Sequence, residues 1–548
     1  MMYEYSEDTT GRGGVQIPIL DRTLTTEVTG DFSLPDYQPE IKRLLRIETN
    51  VLPPNRFAGS DGVELQGTLD YYVLYMGHDN GVYCAPLSAE YSMRAEPDAD
   101  GRGLLAAVGE PLVCLCDATA ETPAGRVTAP RRLNIRCKIK AAVKLYGEHA
   151  GADSSGSGSD GAEDASIEKL IRTAEAGRLY WGLGEAIPLQ DDVILSPADG
   201  EQRVVCAEGK VLVSEATPTA GAVHCRGEVV LKLTLCPAET EQEFASDTAD
   251  GRPSRPLTVI QRKLPFSGTV DVAGVTPACA ASACGYCTDL SVEMEDGHMH
   301  VEMSVVTEAR AQKNETVSYV GDLYSTRREG NARYATYPAE RALRTVNGNF
   351  TLSDSLPLAE VGIEPTVTVA DVTATAVAEG MTADRAKGRC LLTGTCRCHL
   401  LLLRDGEYAS ADMELPFRYE FDDPYFLQAG EGTGNAEGMP LFDGRVSVIS
   451  CRARMDGERV GVDAELAVAL RTCMPAPFVA LADVDFGEEV TRRRGEYVIC
   501  FPAPADSLWT VAKRYHAPIA SLTAANNLPV GADVSAPESL DGAKYLIV

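Results

Sequence analysis

Aromatic residues are scarce. They make up 6% of the 548 residues, and only two are tryptophan. The cores must therefore rest on Val, Leu, Ile and Ala. Long apolar runs are missing too: stretches such as 400–403 fall far short of the ~20 residues a membrane-spanning helix needs. No transmembrane segment is expected. Basic charge is in deficit, with 50 Lys and Arg against 80 Asp and Glu and a net charge of −30. Nucleic acid is then a poor partner, because phosphate binding needs a concentrated basic surface. The N-terminus, MMYEYSED, is acidic and no apolar segment follows it, so no secretory leader is expected and the chain is expected to stay in the cytoplasm. No nucleophile elbow, Walker motif, HExxH or dinucleotide fingerprint occurs. The expectation is a non-enzymatic protein that uses no cofactor.

Length, cysteine and repetition are present in quantity. A chain of 548 residues is too long for one core and suggests several domains. Sixteen cysteines without a leader read as reduced, small core residues. Cys284 and Cys287 form a lone CxxC with Cys279 nearby, and Cys396, Cys398 and His399 form a second small set. A closed zinc site needs four ligands, so neither set is expected to hold metal. His298 and His300 flank a strand start and read as a solvated pair.

Three segments share a pattern around one glycine: VELQGTLDYYVLY at 63–75, VHCRGEVVLKLTL at 223–235 and CLLTGTCRCHLLL at 390–402. Each alternates apolar and polar residues, the signature of a half-buried strand. Gly67, Gly227 and Gly394 lie 160 and 167 residues apart, a domain-sized repeat. A glycine inside a strand suggests a bulge or a close backbone approach. Strand-like segments precede each copy at 46–51, 204–213 and 367–375. Downstream come Leu264-Pro265-Phe266 and Leu415-Pro416-Phe417, with Leu87 to Tyr91 at the equivalent offset in the first copy. Each copy closes on a hairpin-like pair, two of them with Asp-Gly turns at 295–297 and 456–458.

This pattern divides the chain into domains at 15–147, 167–325 and 345–480, with a small terminal domain at 495–548. The Gly/Ser/Asp-rich stretch 148–166 reads as a flexible tether. A short helix is expected after it, with Ile167, Leu170, Ile171 and Ala174 on one face. Surface loops are expected at 244–256 and 428–438. The fold class is mainly β: three tandem sandwich-like domains, then a small βααβ domain.

The run DFSLPDYQPEIKRLL at 31–45 resembles the opening of the SPOCS domain, a β-rich module associated with spore coats. Pro39 suits the first turn of a short helix there, with Ile41, Leu44 and Leu45 on one face. The terminal segment holds a strand at 497–501 and a helix at 506–515 capped by Asp506 or Ser507. A second helix is expected at 519–525, opened by Pro518 and closed by Asn526 and Asn527, and then a strand at 544–548. This string resembles a LysM domain, departing from it at Ala505, where a glycine is usual.

Together the two resemblances point to the family of spore-coat morphogenetic proteins with SPOCS repeats and a terminal LysM. They imply an assembly scaffold in the mother-cell cytoplasm at the forespore surface. Its LysM groove, formed by Asp506, Ser507, Leu508, Trp509, Asn526, Asn527 and Leu528, would dock onto a coat-forming morphogenetic ATPase. The alternative is a peptidoglycan or N-acetylglucosamine binder with the repeats as spacers. Trp509 reads either as a ligand platform or as a residue packed on the protein's own surface.

Overall fold

A computed structural model describes residues 14–149, 166–195, 201–237, 256–295, 298–364, 367–384, 387–422, 441–490, 498–529 and 533–548. The expected tether over 150–165 and the loop at 428–438 lie outside these residues, as does the loop at 244–256 up to residue 255; residues 148 and 149, expected in the tether, are instead the end of a strand.

The first sandwich holds β1 (Val15–Ser33), β2 (Ile41–Val51), β3 (Asn55–Gly59), β4 (Gly62–Gly77), β5 (Val82–Ala95), helix α1 (Ala99–Ala107), β6 (Val108–Ala120), β7 (Ala124–Ala129) and β8 (Arg132–His149). One sheet runs β1-β8-β6, with β7 also on β8; the other runs β2-β4-β3, with β5 also on β4. The second sandwich holds β9 (Ile167–Leu183), β10 (Ile187–Ile194), β11 (Gln202–Thr219), β12 (Ala222–Pro237), β13 (Thr258–Asp271), β14 (Ala280–Glu295) and β15 (His298–Ser325). After β16 (Arg328–Tyr337), the third holds β17 (Glu340–Pro357), helix α2 (Leu358–Val361), β18 (Thr368–Asp384), β19 (Arg389–Arg404), β20 (Glu407–Asp422), β21 (Leu441–Asp456) and β22 (Arg459–Pro475). In all three, the first strand pairs with the last and the last with the one before it, while the middle strands, four in the first sandwich and three in the other two, form the facing sheet. In the second copy the first strand is split into β9 and β10, and both lie on β15.

Period-2 burial builds each core. Leu133, Ile135, Cys137, Ile139, Ala141, Val143 and Leu145 point inward from β8, and Val460 to Leu470 alternate in the same way on β22. The repeated glycines have a common reason. Gly67, Gly227 and Gly394 stand directly across from Tyr91, Phe266 and Phe417 on the next strand. A Cβ at any of the three would run into that ring. The aromatic face thus covers a bare stretch of backbone. Pro265 and Pro416 sit on β13 and β20, which are edge strands, where a missing N–H does no harm.

Two expected helices are strands. Residues 41–45 belong to β2, and residues 167–174 belong to β9. In β2, irregularities at Ile41/Arg43 and Leu44/Arg46 break the pleat, so buried positions recur at a helix-like spacing. In β9, Leu170 is buried but Ile171 is 52% exposed, so the apparent helical face does not exist. Pairing with β15 along its whole length overrides local propensity there.

The sandwiches pack around a common junction. Matching irregularities occur at Leu44/Arg46, Val204/Cys206 and Val369/Asp371, at the same point of the repeat. They turn Leu45, Val205 and Ala370 toward one apolar plug, which also takes in Leu74, Met76, Leu401 and Tyr408. β16 pairs with β23 (Phe478–Glu489) as a separate two-stranded ribbon, which packs through Leu481 on Val320 and Leu323 of β15. The chain ends in β24 (Ile499–Cys500), α3 (Leu508–Arg514), α4 (Ile519–Asn526), a 3₁₀ turn at Pro537–Leu540 and β25 (Leu546–Ile547). Among the described residues no helix is long and apolar enough to cross a membrane.

Candidate functional site

The terminal module is built on its caps. Ser507 accepts from the Thr510 N–H while its own N–H donates to Thr510 Oγ1 at 2.8 Å, a reciprocal cap that starts α3. Asn527 closes α4 in the left-handed region, with φ of 49°. Leu508, Val511, Ala512, Leu522, Leu528, Leu540 and Leu546 form the module's core.

The residues expected to line a groove therefore have structural duties. Leu508 and Leu528 are in that core, and Ser507 is 2% exposed at the cap. Asp506 accepts from the Ala503 N–H at 2.9 Å and pairs with Arg514 at 2.7 Å, and the Arg514 hydrogen bond holds its carboxyl below the usual range. The Asn526 side chain exchanges two hydrogen bonds with the Ile547 backbone, at 2.9 and 2.7 Å, and so pins β25 to the end of α4.

Trp509 is only 3% exposed and faces the second sandwich. Its ring stands edge-on to Tyr324, with centroids 5.1 Å apart, and its indole N–H donates to Asp322 at 2.8 Å. Lys513 pairs with the same carboxylate at 2.6 Å and the Tyr334 hydroxyl donates to it at 2.6 Å. The Asp322 carboxyl is held below its usual range: these partners outweigh the effect of burial, which acts the other way. The Tyr324 hydroxyl donates to the Ala517 carbonyl at 2.7 Å, and Leu170 of β9 adds apolar contact. α3 is thereby fixed to the body of the protein.

The opposite side of the module is open. Cys500 and Leu546 of the β24–β25 pair point inward. Ile499, Phe501, Tyr545 and Ile547 point outward, with Phe501 at 74% exposure. The sequence reading missed this strip, although residues 498–501 (VICF) are apolar on both faces of a short strand.

A second feature is the junction itself, where residues of all three sandwiches line a cleft of about 480 Å³. At its base Arg46 of β2 pairs with Asp371 of β18 at 2.8 Å and with Glu48 at 2.5 Å. Lys232 of β12 meets Asp371 at 2.7 Å. Burial pushes the Glu208 carboxyl up, and the nearby Glu48 adds to that rise. Glu48 is half-buried beside it, and Arg46 and Lys232 hold its carboxyl below the ordinary range. Elsewhere, Glu308 of β15 is fully buried between Arg56 of the first sandwich at 2.7 Å and Arg310 at 2.9 Å, and Arg310 also meets Asp117 at 2.7 Å. Lys144 and Asp443 link the first and third sandwiches at 2.5 Å.

The cysteine sets do not converge. Cys284 and Cys287 lie along β14, where burial pushes both thiols up to about 11, and all sixteen cysteines are unbridged. Among the described residues no group of three His, Cys, Asp or Glu side chains is arranged to hold a metal ion. Exposed His300 bonds to Asp192 at 2.7 Å, and His399 to Asp412 at 2.6 Å. Comparison with known protein families, with curated proteins and with solved structures finds no match.

Proposed function

We propose that the protein is a non-enzymatic assembly scaffold of the spore coat, with three SPOCS-like sandwiches as its body and a LysM-like module as its docking element. In this reading it works in the mother-cell cytoplasm at the forespore surface. Its partner is the coat-forming morphogenetic ATPase that the family resemblance implies. The observation that carries the reading is the module's two-sidedness: one side is fastened to the second sandwich through Trp509, while Ile499, Phe501, Tyr545 and Ile547 face outward uncovered. A cluster of apolar and aromatic side chains on a rigid support suits a protein interface, where a few such residues carry most of the binding energy.

This shifts the expected contact from the α3 side, where Trp509 has its own partner, to the β24–β25 strip. The test is binding of the full-length protein to the ATPase, with peptidoglycan and chitin oligomers as competing ligands. Phe501→Ser should weaken binding to the ATPase by about 2 kcal/mol, as loss of an interface anchor does. Glycan binding without affinity for the ATPase would replace this reading with a peptidoglycan-binding one.

A further inference from the structure

Cys84 of β5 and Cys206 of β11 belong to different sandwiches and lie 122 positions apart, yet their sulfurs are 3.4 Å from each other. Neither is bridged. Cys206 is buried in the apolar plug where the sandwiches meet, whereas Cys84 is half-buried and reachable from solvent. The Cys206 thiol also points at Glu208, whose Oε1 lies 3.9 Å from the sulfur. Cys396 and Cys398, also close at 3.9 Å, sit two residues apart on one strand, so a bond between them would join nothing that the strand does not already hold.

We propose that Cys84 and Cys206 form an oxidation site, at which hydrogen peroxide converts the two thiols into a disulfide that staples the first sandwich to the second. The Cys84 sulfur attacks one peroxide oxygen. An S–O bond forms, the O–O bond breaks, and the released oxygen leaves as water with the Cys84 proton. Cys206 then attacks the sulfenic sulfur of Cys84: the S–S bond forms, the S–O bond breaks, and hydroxide leaves. Glu208 takes the Cys206 proton and passes it to that hydroxide, which gives a second water. Two thiols lose two electrons, and the peroxide gains them. The order follows from access, because the peroxide reaches Cys84 and not the enclosed Cys206. Burial pushes the Glu208 carboxyl up, which suits it to accept a proton.

Closing the bond needs the sulfurs to move about 1.4 Å nearer, since a disulfide is ~2.05 Å long. The result would be a covalent tie at a junction otherwise held by apolar contact and buried ion pairs.

The test uses the reduced full-length protein, treated with hydrogen peroxide, unfolded, alkylated and mapped by mass spectrometry. Two fewer alkylated thiols are expected, together with one cross-linked peptide pair containing Cys84 and Cys206. The pair should vanish in Cys84→Ser and persist in Cys236→Ser. Glu208→Gln should slow its formation several-fold and leave the product unchanged. Peroxide-treated wild-type protein in which Cys84 and Cys206 both remain alkylatable overturns the proposal. So does a cross-link that forms as readily in concentrated urea, where the fold no longer brings the two together. The wild-type map decides by itself if a variant fails to fold.

Discussion

Arg46 of the first sandwich and Asp371 of the third meet at 2.8 Å, although 325 positions separate them in the chain. Both side chains are 3% exposed, so neither charge has water as an alternative partner. Lys232 of the second sandwich holds the same carboxylate, which makes one carboxylate common to all three. Removing one member of such a group leaves the others uncompensated, at a cost of ~3–5 kcal/mol. Arg46→Met should therefore lower the urea midpoint of the whole body, and Asp371→Leu should do the same. Arg46→Met with Asp371→Leu should cost less than the sum of the two. Strict additivity would show that the contact does not couple the sandwiches.

The alternation that builds the cores was legible in the sequence, and so was the threefold repeat. The glycine of each copy stood out because it recurs at the same place in an alternating apolar and polar strand pattern. The asparagines at the end of α4 were legible too, since Asn527 takes the left-handed turn that such residues favour. The packing of the sandwiches on one another was not legible. It depends on single polar residues such as Arg46, Glu308 and Asp443, which look like ordinary surface charges until strands far apart in the chain bury them. The false helices at 41–45 and 167–174 have different causes. Breaks in the pleat of β2 give its buried residues a helical spacing, whereas in β9 the apolar Ile171 is exposed and the spacing lies in the sequence alone. The ribbon of β16 and β23 escaped because its exposed residues are polar or charged along much of both strands and few residues alternate with them into a core.

The pairing of Gly394 with Phe417 predicts an asymmetric pair of substitutions. Gly394→Ala adds a methyl group that meets the Phe417 ring and the Val377 carbonyl. Overpacking of this kind costs ~1–3 kcal/mol. Phe417→Ala alone opens a cavity in the third core at a cost of ~3–5 kcal/mol. The double variant should be more stable than the sum of the two losses, because Phe417→Ala removes the ring contact, while the Val377 carbonyl still opposes the new methyl and keeps the relief partial. Thermal melting of the four proteins measures this coupling.

Glu308 predicts an acid-sensitive contribution to stability. Desolvation pushes its carboxyl up, but Arg310 and Arg56 more than reverse this and bring it from 4.5 to about 2. A carboxyl lowered in the folded state stabilises that state fully above its unfolded value. The contribution is lost as pH falls from 4.5 through about 2. The difference is worth ~3 kcal/mol. Glu308→Gln should be less stable at neutral pH because Arg56 and Arg310 then lack a counter-charge. Its urea midpoint should also fall less steeply than that of the wild type between pH 4.5 and 2. Equal slopes would show that Glu308 titrates normally.

Trp509 predicts a separation of the terminal module from the body. Its ring packs on Tyr324 and its N–H reaches Asp322, so Trp509→Ala removes apolar contact and a hydrogen bond at one point. Lys513 still pairs with Asp322, and Tyr324 still donates to the Ala517 carbonyl, so detachment should be partial. Loss of a buried tryptophan costs ~3–5 kcal/mol. Much of that loss should fall on the docking of the module, because the ring lies between the module and β15. Backbone N–H groups of α3 and of β15 near Tyr324 should then exchange with deuterium faster, while those of β19 and β22 in the third sandwich keep wild-type rates. Asp322→Asn should give the same pattern more weakly, since it removes the charge that Lys513 faces and keeps an acceptor for the indole. Faster exchange spread evenly through all three sandwiches would mean that Trp509 supports the whole fold and not the attachment of one module.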